Sequence, residues 1–306
     1  MLSRMALRWR VKLNFPFDWE LKLKFDVLPE RPTPAQVRNG KWFRAFRLEG
    51  RLIPVMVRGL GTPEKPVLEF TTPKLGRRLK NQVAKAVFRL HGVEDPSDLH
   101  RFMERNPVLK RVLARLRGFG RAGLMAADPY EGIVKSIVQQ QIALKVAENI
   151  IANIVERFGE HVNFGGETVY GFPEPERLAE ASLEELKSCG LSLRKAEYIK
   201  DFSVRVAEGD FNPQSLYRLT PKEIIEVLTG FRGMGRWTAE LVMAATLGLN
   251  VIPADDLGVR RAVSHFFFKR KMQSAEAVRK FAEENFGPYQ REIIVYLLMA
   301  YRLGLQ

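Results

Sequence analysis

The spacing of apolar residues changes from strand-like to helix-like along the chain, and this change constrains the fold more than any other sequence feature. Before residue 74, apolar and polar residues alternate, as in the Leu-Lys-Leu-Lys-Phe segment at 21–25, which is typical of half-buried strands. From about residue 95 onward, almost every segment has helical spacing. Because strands come first and helices follow, we predict an α+β fold. An N-terminal antiparallel β-sheet with a packed helix precedes a mostly α-helical core.

The N-terminal region holds five predicted strands and one predicted helix. The strands cover residues 9–15, 20–25, 42–48, 52–57 and 67–72, with a hairpin turn at Glu49-Gly50-Arg51. Residues 74–90 place leucines and valines on one stripe and basic residues outside it, so this helix should pack on one face of the sheet. We predict that this α+β domain covers residues 1–93.

Three of the later helices are predicted to begin with a capping box. The pairs are Asp128 with Glu131, Ser182 with Glu185, and Thr220 with Glu223. Three glutamines at 139–141 interrupt the apolar stripe of the helix that follows Asp128. This run is either a solvated face of one long helix or a break between two helices that carries a functional loop.

Positive charge is concentrated in the first part of the chain. The sequence has 49 Lys and Arg against 35 Asp and Glu, a net charge of +14. Residues 1–127 contain 27 basic and 11 acidic residues, whereas residues 128–306 contain 22 and 24. This asymmetry indicates a polyanionic partner, because basic side chains that face phosphates release condensed counterions. A basic solvated surface is the alternative interpretation.

The rest of the composition excludes several classes of protein. A lone cysteine, Cys189, excludes a disulfide scaffold, a zinc ribbon and a cluster held by four thiolates. The four histidines show no metal-ligand spacing, and the apolar runs are too short to span a bilayer. The first ten residues carry three arginines and no apolar segment, so we expect no secretory signal. We expect no metal, no cofactor and no membrane contact, and an intracellular location: cytoplasmic and nucleoid-associated in a prokaryote, otherwise nuclear.

The segment Gly-Phe-Arg-Gly-Met-Gly-Arg at 230–236 separates two predicted helices. Gly233 and Gly235 predict a tight hairpin that needs positive φ and close backbone approach. The hairpin amides and the next helix turn would form a phosphate site, reinforced by Arg236 and Thr238. A plain helix–helix turn is the alternative. The match to a dinucleotide-binding fingerprint is only partial, since the third glycine is absent and no strand precedes it.

Two adjacent acids, Asp255 and Asp256, precede a predicted helix, the second of them 19 residues after Trp237. The ordinary interpretation is a helix N-cap. A carboxylate held ionised at a helix N-terminus can also act as a base or stabilise a developing cation. One residue can serve both purposes.

Taken together, these motifs resemble the helix-hairpin-helix superfamily of DNA glycosylases, and more narrowly the 3-methyladenine DNA glycosylase II (AlkA) type. Phe17-Asp18-Trp19 is similar to the family's Tyr-Asp-Trp, residues 233–239 to its hairpin, and Asp255-Asp256-Leu257 to its Asp-Asp-Tyr. The resemblance covers nearly the whole chain. It implies a helical domain at 128–250, with the helix-hairpin-helix at about 220–247. Residues 94–127 plus 251–306 would form a second helical subdomain, and the active site would lie in the cleft between the helical parts.

The resemblance also implies the site residues. Asp256 aligns with the catalytic aspartate, and Trp237 stands where bifunctional relatives carry the Schiff-base lysine. This implies an enzyme that leaves an abasic site without cutting the strand. Gln141 falls at the wedge position, which fills the gap left by the flipped nucleotide. The implied base pocket comprises Trp237, Phe25, Leu241 and Leu298, and the implied DNA contacts are Gln141, Gly233, Gly235, Arg236 and Thr238.

Some positions depart from the AlkA pattern. The wedge is glutamine rather than leucine, Leu241 replaces a tyrosine, and Leu298 and Met299 replace a tryptophan–tyrosine pair. We expect a monomeric, monofunctional glycosylase that removes alkylated or otherwise damaged purines such as 3-methyladenine from double-stranded DNA. The alternatives are a bifunctional glycosylase/lyase for oxidised bases and a non-catalytic helix-hairpin-helix DNA-binding protein. The lesion range stays open.

Overall fold

The computed structural model describes residues 6–305, so the first five residues of the predicted N-terminal domain lie outside the described part. Its larger sheet is antiparallel, in the order β1-β5-β4-β3-β2. The turn between the third and fourth strands places Leu48 opposite Arg51, with Glu49 and Gly50 at positive φ, as the hairpin prediction required. The strands are Ala6–Lys12 (β1), Gln36–Arg38 (β2), Lys41–Leu48 (β3), Arg51–Thr62 (β4) and Lys65–Pro73 (β5).

One predicted strand, at residues 20–25, is instead a short helix, Trp19–Leu23 (α1). Asp18 is its N-cap, and the Asp18 carboxylate accepts a hydrogen bond from the amide of Leu21 at 2.9 Å. The cap stabilises the first helical turn, and the burial of Trp19 and Lys22 holds that turn against the rest of the protein. The alternating apolar pattern therefore gave the wrong prediction over this segment.

Helices make up most of the chain after the sheet. Arg77–His91 (α2) buries Leu79, Val83 and Val87 against the sheet, as predicted for residues 74–90. A small hairpin of His161–Phe164 (β6) and Glu167–Tyr170 (β7) follows the sixth helix. The remaining helices are Ser97–Met103 (α3), Pro107–Arg115 (α4), Pro129–Gln139 (α5), Leu144–Phe158 (α6), Pro175–Glu180 (α7), Leu183–Ser188 (α8), Leu193–Ala207 (α9), Pro221–Thr229 (α10), Arg236–Val242 (α11), Leu257–Phe267 (α12), Ala275–Phe286 (α13) and Gln290–Arg302 (α14).

Two of the three predicted capping boxes form. Ser182 and Thr220 each exchange hydrogen bonds with the glutamate three residues later. Asp128 accepts from the amide of Glu131, but the Glu131 side chain does not return the bond. The buried Glu131 carboxylate forms an ion pair with Arg44 of the sheet and accepts from the amide of Ala127. A long-range charge pair has therefore replaced the local one.

Three hydrophobic cores organise the molecule. The first lies between α2 and the sheet, the second joins α5 to α11, and the third joins α3 and α4 to α12–α14. The predicted fold class, a sheet domain followed by a mostly helical core, is confirmed, and the residue boundaries of the predicted domains stay predictions. Within residues 6–305, no helix is both long and apolar enough to cross a membrane.

Candidate active site

The hairpin between α10 and α11 depends on one glycine at positive φ. Gly233 has φ +81°, and a Cβ there would lie 2.1 Å from Cδ2 of Tyr198. Gly235 is extended, with φ −103° and ψ −178°, so the prediction that it needs positive φ is wrong. A Cβ at Gly235 would meet nothing within 4 Å, because this glycine faces open space. The two glycines therefore have different roles.

The hairpin is held from behind by the loop between α5 and α6. The Gln140 amide nitrogen donates to the carbonyl oxygen of Gly233 at 2.8 Å and to the hydroxyl of Thr238 at 3.1 Å. Thr238 is 1% exposed. Its side chain therefore supports the hairpin from inside, and the predicted contribution of that side chain to an outward phosphate site is wrong. Lys195 fixes the same loop by donating to the carbonyls of Val138 and Gln140.

The glutamine run is a break between two helices. Helix α5 ends at Gln139, and α6 begins at Leu144. The three side chains point to different places: Gln139 lines a cavity, Gln140 binds the hairpin, and Gln141 is exposed at φ +55°. Of the two interpretations left open by the sequence, the structure supports the break. The exposed Gln141 is free to act as the predicted wedge.

A buried carboxylate connects the hairpin to the acid pair. Glu240 of α11 accepts from Arg236 at 2.8 Å and from Arg279 of α13 at 2.6 Å. Arg279 also lies 3.6 Å from the Asp255 carboxylate. Arg236 keeps an exposed side chain at the first turn of α11, where the predicted DNA contact would lie. This network ties the predicted phosphate-binding surface to the start of α12.

Asp256 begins α12, and its two carboxylate oxygens have separate partners. Oδ1 accepts from the amide of Val259 at 3.0 Å, which is the N-cap bond. Oδ2 accepts from Nε1 of Trp237 at 3.3 Å. The half-buried carboxylate is thus oriented by one backbone and one indole donor, while each oxygen retains acceptor capacity. Leu298 lies next to this site, with Cδ2 3.6 Å from the position that a Cβ on Gly258 would occupy.

A cavity of about 400 Å³ opens between α1, α2, β3, α5, α6 and α14. Phe25 lines it, as predicted, and packs edge-on against Phe119 with ring centroids 5.5 Å apart. The wall does not include Trp237, Leu241 or Leu298, so of the four predicted pocket residues only Phe25 is part of this cavity. The other three are half-buried residues of α11 and α14. Sequence reasoning missed most of the wall, including Trp42, Phe119, Met299 and Arg302.

Charged side chains line the same cavity. Burial raises the pKa of Asp26 to about 7 and lowers the pKa of Lys22 to about 7. Burial also raises the pKa of Glu148, and Arg302 is influenced by both Glu148 and Asp256. Arg302 therefore places the cavity beside the acid at the start of α12. No local sequence signal identifies these groups, because each comes from a different element.

The comparisons with known proteins identify the family. The family model described as HhH-GPD superfamily base excision DNA repair protein matches residues 134–288, a little over half of the chain. A second model, the AfAlkA-like, TATA-box binding protein-like domain, matches residues 8–67. The chain therefore belongs to the HhH-GPD superfamily of base excision DNA repair proteins. The resemblance to AlkA-type glycosylases found in the sequence is confirmed.

Particular relatives make the likeness more specific. A solved 3-methyladenine DNA-glycosylase from Archaeoglobus fulgidus is 44% identical, with a TM-score of 0.90 over 97% of this chain and 100% of that one. A putative DNA-3-methyladenine glycosylase of Bacillus subtilis is 31% identical over 55% of this chain and 57% of its own length. DNA-3-methyladenine glycosylase 1 of Schizosaccharomyces pombe is 32% identical over 51% of this chain and 65% of its own length. The matches thus span less than two thirds of these two curated relatives.

Proposed function

We propose that this protein is a monofunctional DNA N-glycosylase that removes alkylated purines such as 3-methyladenine from double-stranded DNA. The observation that carries the proposal is Asp256, oriented by Val259 and Trp237 and connected through Arg302 to a cavity large enough for a purine. A protein that only gripped DNA backbone would have no use for a carboxylate beside phosphates or for such a cavity. The non-catalytic alternative leaves both unexplained.

Access to the base requires its rotation out of the duplex, which costs a few kcal/mol of stacking and pairing. The amides at the α10–α11 hairpin and the exposed Arg236 would hold the backbone beside the lesion. The exposed Gln141, in the turn between α5 and α6, would occupy the space that the base leaves. The flipped base would enter the cavity beside Phe25.

Bond cleavage then depends on charge. Alkylation at N3 or N7 makes the purine cationic and a better leaving group, and the sugar becomes oxocarbenium-like as the bond breaks. Asp256 would stabilise that charge and orient or deprotonate the attacking water. Water adds its oxygen to C1′ and the base leaves with the bonding electrons. The product is a free base and an intact strand with an abasic site.

A lyase step needs an amine at the sugar carbon. Position 237, where the resemblance places the lyase lysine, is tryptophan, and its indole N–H is bonded to Asp256. The two lysines in the cavity wall are engaged elsewhere. Lys135 donates to the carbonyls of Thr33 and Met125 at 2.8 Å, and Lys22 to the carbonyl of Arg121 at 2.7 Å. These contacts support hydrolysis without strand cleavage.

The test uses the full chain with duplexes that contain 3-methyladenine, hypoxanthine or 8-oxoguanine. We expect release of 3-methyladenine, strand breakage only after alkali, and no borohydride-trapped adduct. Lys22→Arg and Lys135→Arg provide matched controls, because an adduct lost in either variant identifies the amine responsible. A trapped adduct in the unmodified protein would assign lyase activity instead. Binding without any base release would favour the non-catalytic alternative.

A further inference from the structure

The cavity contains two carboxyl groups that the proposed reaction does not use. Asp26 lies in the segment after α1, and Glu148 lies in the second turn of α6. Both line the cavity, and Asp26 is exposed there. Within residues 6–305, neither carboxylate has a cationic side chain within 4 Å. Acidic groups enclosed by protein are normally paired, so these two are available to a ligand.

The cations in the cavity wall are engaged by other partners. Arg44 on β3 and Lys135 on α5 share the buried Glu131. Lys22 on α1 lies over the Phe119 ring, 3.4 Å from its centroid. Burial and the nearby Lys22 and Arg44 lower the pKa of His91 on α2 to about 3, so this side chain is neutral. Arg302 on α14 is shared between Glu148 and Asp256.

A second observation also indicates that the cavity receives a polar ligand. His91 is 8% exposed and Arg44 is 4% exposed, and both line the cavity. Among the described residues, Nε2 of His91 and Nε of Arg44 have no hydrogen-bond partner. Buried polar atoms without partners cost free energy unless a ligand or water satisfies them.

We propose that Asp26 and Glu148 are specificity-determining residues, and that they select flipped bases that carry a positive charge. This assignment rests on the proposed function, because the ligand is the base that the glycosylase extracts. Two carboxylates attract a cationic purine and give a neutral purine no matching advantage. The aromatic side chains Phe25 and Phe119 would add cation–π attraction for the same charged bases.

The ionisation of Asp26 makes the selection depend on pH. Burial and the neighbouring Glu148 raise the pKa of Asp26 to about 7, so the pair loses a proton near neutral pH. Above that pH the cavity gains a second negative charge. The preference for cationic bases should therefore increase as pH rises through about 7 and become constant above it.

The experiment measures single-turnover release of cationic 7-methylguanine and neutral hypoxanthine from otherwise identical duplexes. In Asp26→Asn and Glu148→Gln we expect release of 7-methylguanine to fall by about tenfold, since a contact between charged groups is lost. Release of hypoxanthine should change less than about twofold, because a neutral base makes no such contact. Glu156→Gln on the same helix is the matched control, since Glu156 pairs with Arg31 at the surface.

Two further measurements separate recognition from folding. Melting temperature and affinity for a duplex with an abasic-site analogue should be unchanged in both variants. In the unmodified protein the ratio of the two rates should rise through neutral pH, and Asp26→Asn should flatten it. Equal loss on both bases, or an unchanged ratio, overturns this assignment alone. Release of neither base by the unmodified protein overturns the proposed function as well.

Discussion

At the scale of single residues, Asp256 combines a structural bond with a free acceptor. An asparagine would keep the oxygen that caps α12 but remove the negative charge. We expect Asp256→Asn to lower base release by about a hundredfold or more, with DNA affinity equal or higher. Single-turnover release and binding to an abasic-analogue duplex measure both effects. Asp255→Asn is the control, since Asp255 is exposed, and a greater loss there would transfer the catalytic role to it.

Trp237 contacts Asp256 through Nε1 and lies outside the cavity wall. Trp237→Phe removes the indole N–H and keeps an aromatic ring. We expect base release to fall by about tenfold on cationic and neutral bases alike, because the change acts through Asp256. Melting temperature and DNA affinity should change little. A selective loss on cationic bases would instead support the stacking role that the sequence implied.

At the scale of elements, the helix-hairpin-helix separates the requirements of folding from those of binding. In Gly233→Ala, the added Cβ would clash with Tyr198 at positive φ, so we expect a loss of about 1–3 kcal/mol in unfolding free energy. In Gly235→Ala, the Cβ meets no protein atom, so stability should be unchanged while affinity for all duplexes falls by similar factors. Urea unfolding and titration with damaged and undamaged duplexes test the pair. Binding loss confined to damaged duplexes in Gly235→Ala would contradict the backbone role.

At the scale of the whole molecule, the cavity exists only because the sheet domain docks against the helices. Asp26 illustrates the energetic consequence. Its pKa is raised from 3.8 to about 7, so the native state holds this proton more tightly than the unfolded chain. This group therefore lowers stability as pH rises between these values. Asp26→Asn should match the unmodified protein near pH 4 and melt at a higher temperature near pH 8. Equal melting temperatures at both pH values would show that Asp26 is not desolvated.

The sequence by itself determined the features that depend on neighbours along the chain. The β3–β4 turn, the Ser182 and Thr220 caps and the Asp256 N-cap join residues within a few positions, so local spacing predicts them. The order of strands and helices likewise predicted the fold class. The family resemblance then named Asp256 and Phe25, and the structure places these two where a glycosylase needs them.

Only the tertiary structure decided the features that depend on distant partners. Glu131 leaves its predicted capping box because a buried arginine of the sheet, Arg44, offers a stronger charged contact. Residues 20–25 form a helical turn because Asp18 caps it and Trp19 packs into the core. The cavity brings Asp26, Glu148 and Arg302 together from separate elements. Desolvation and charge coupling act through space, so no spacing along the chain could have revealed this group.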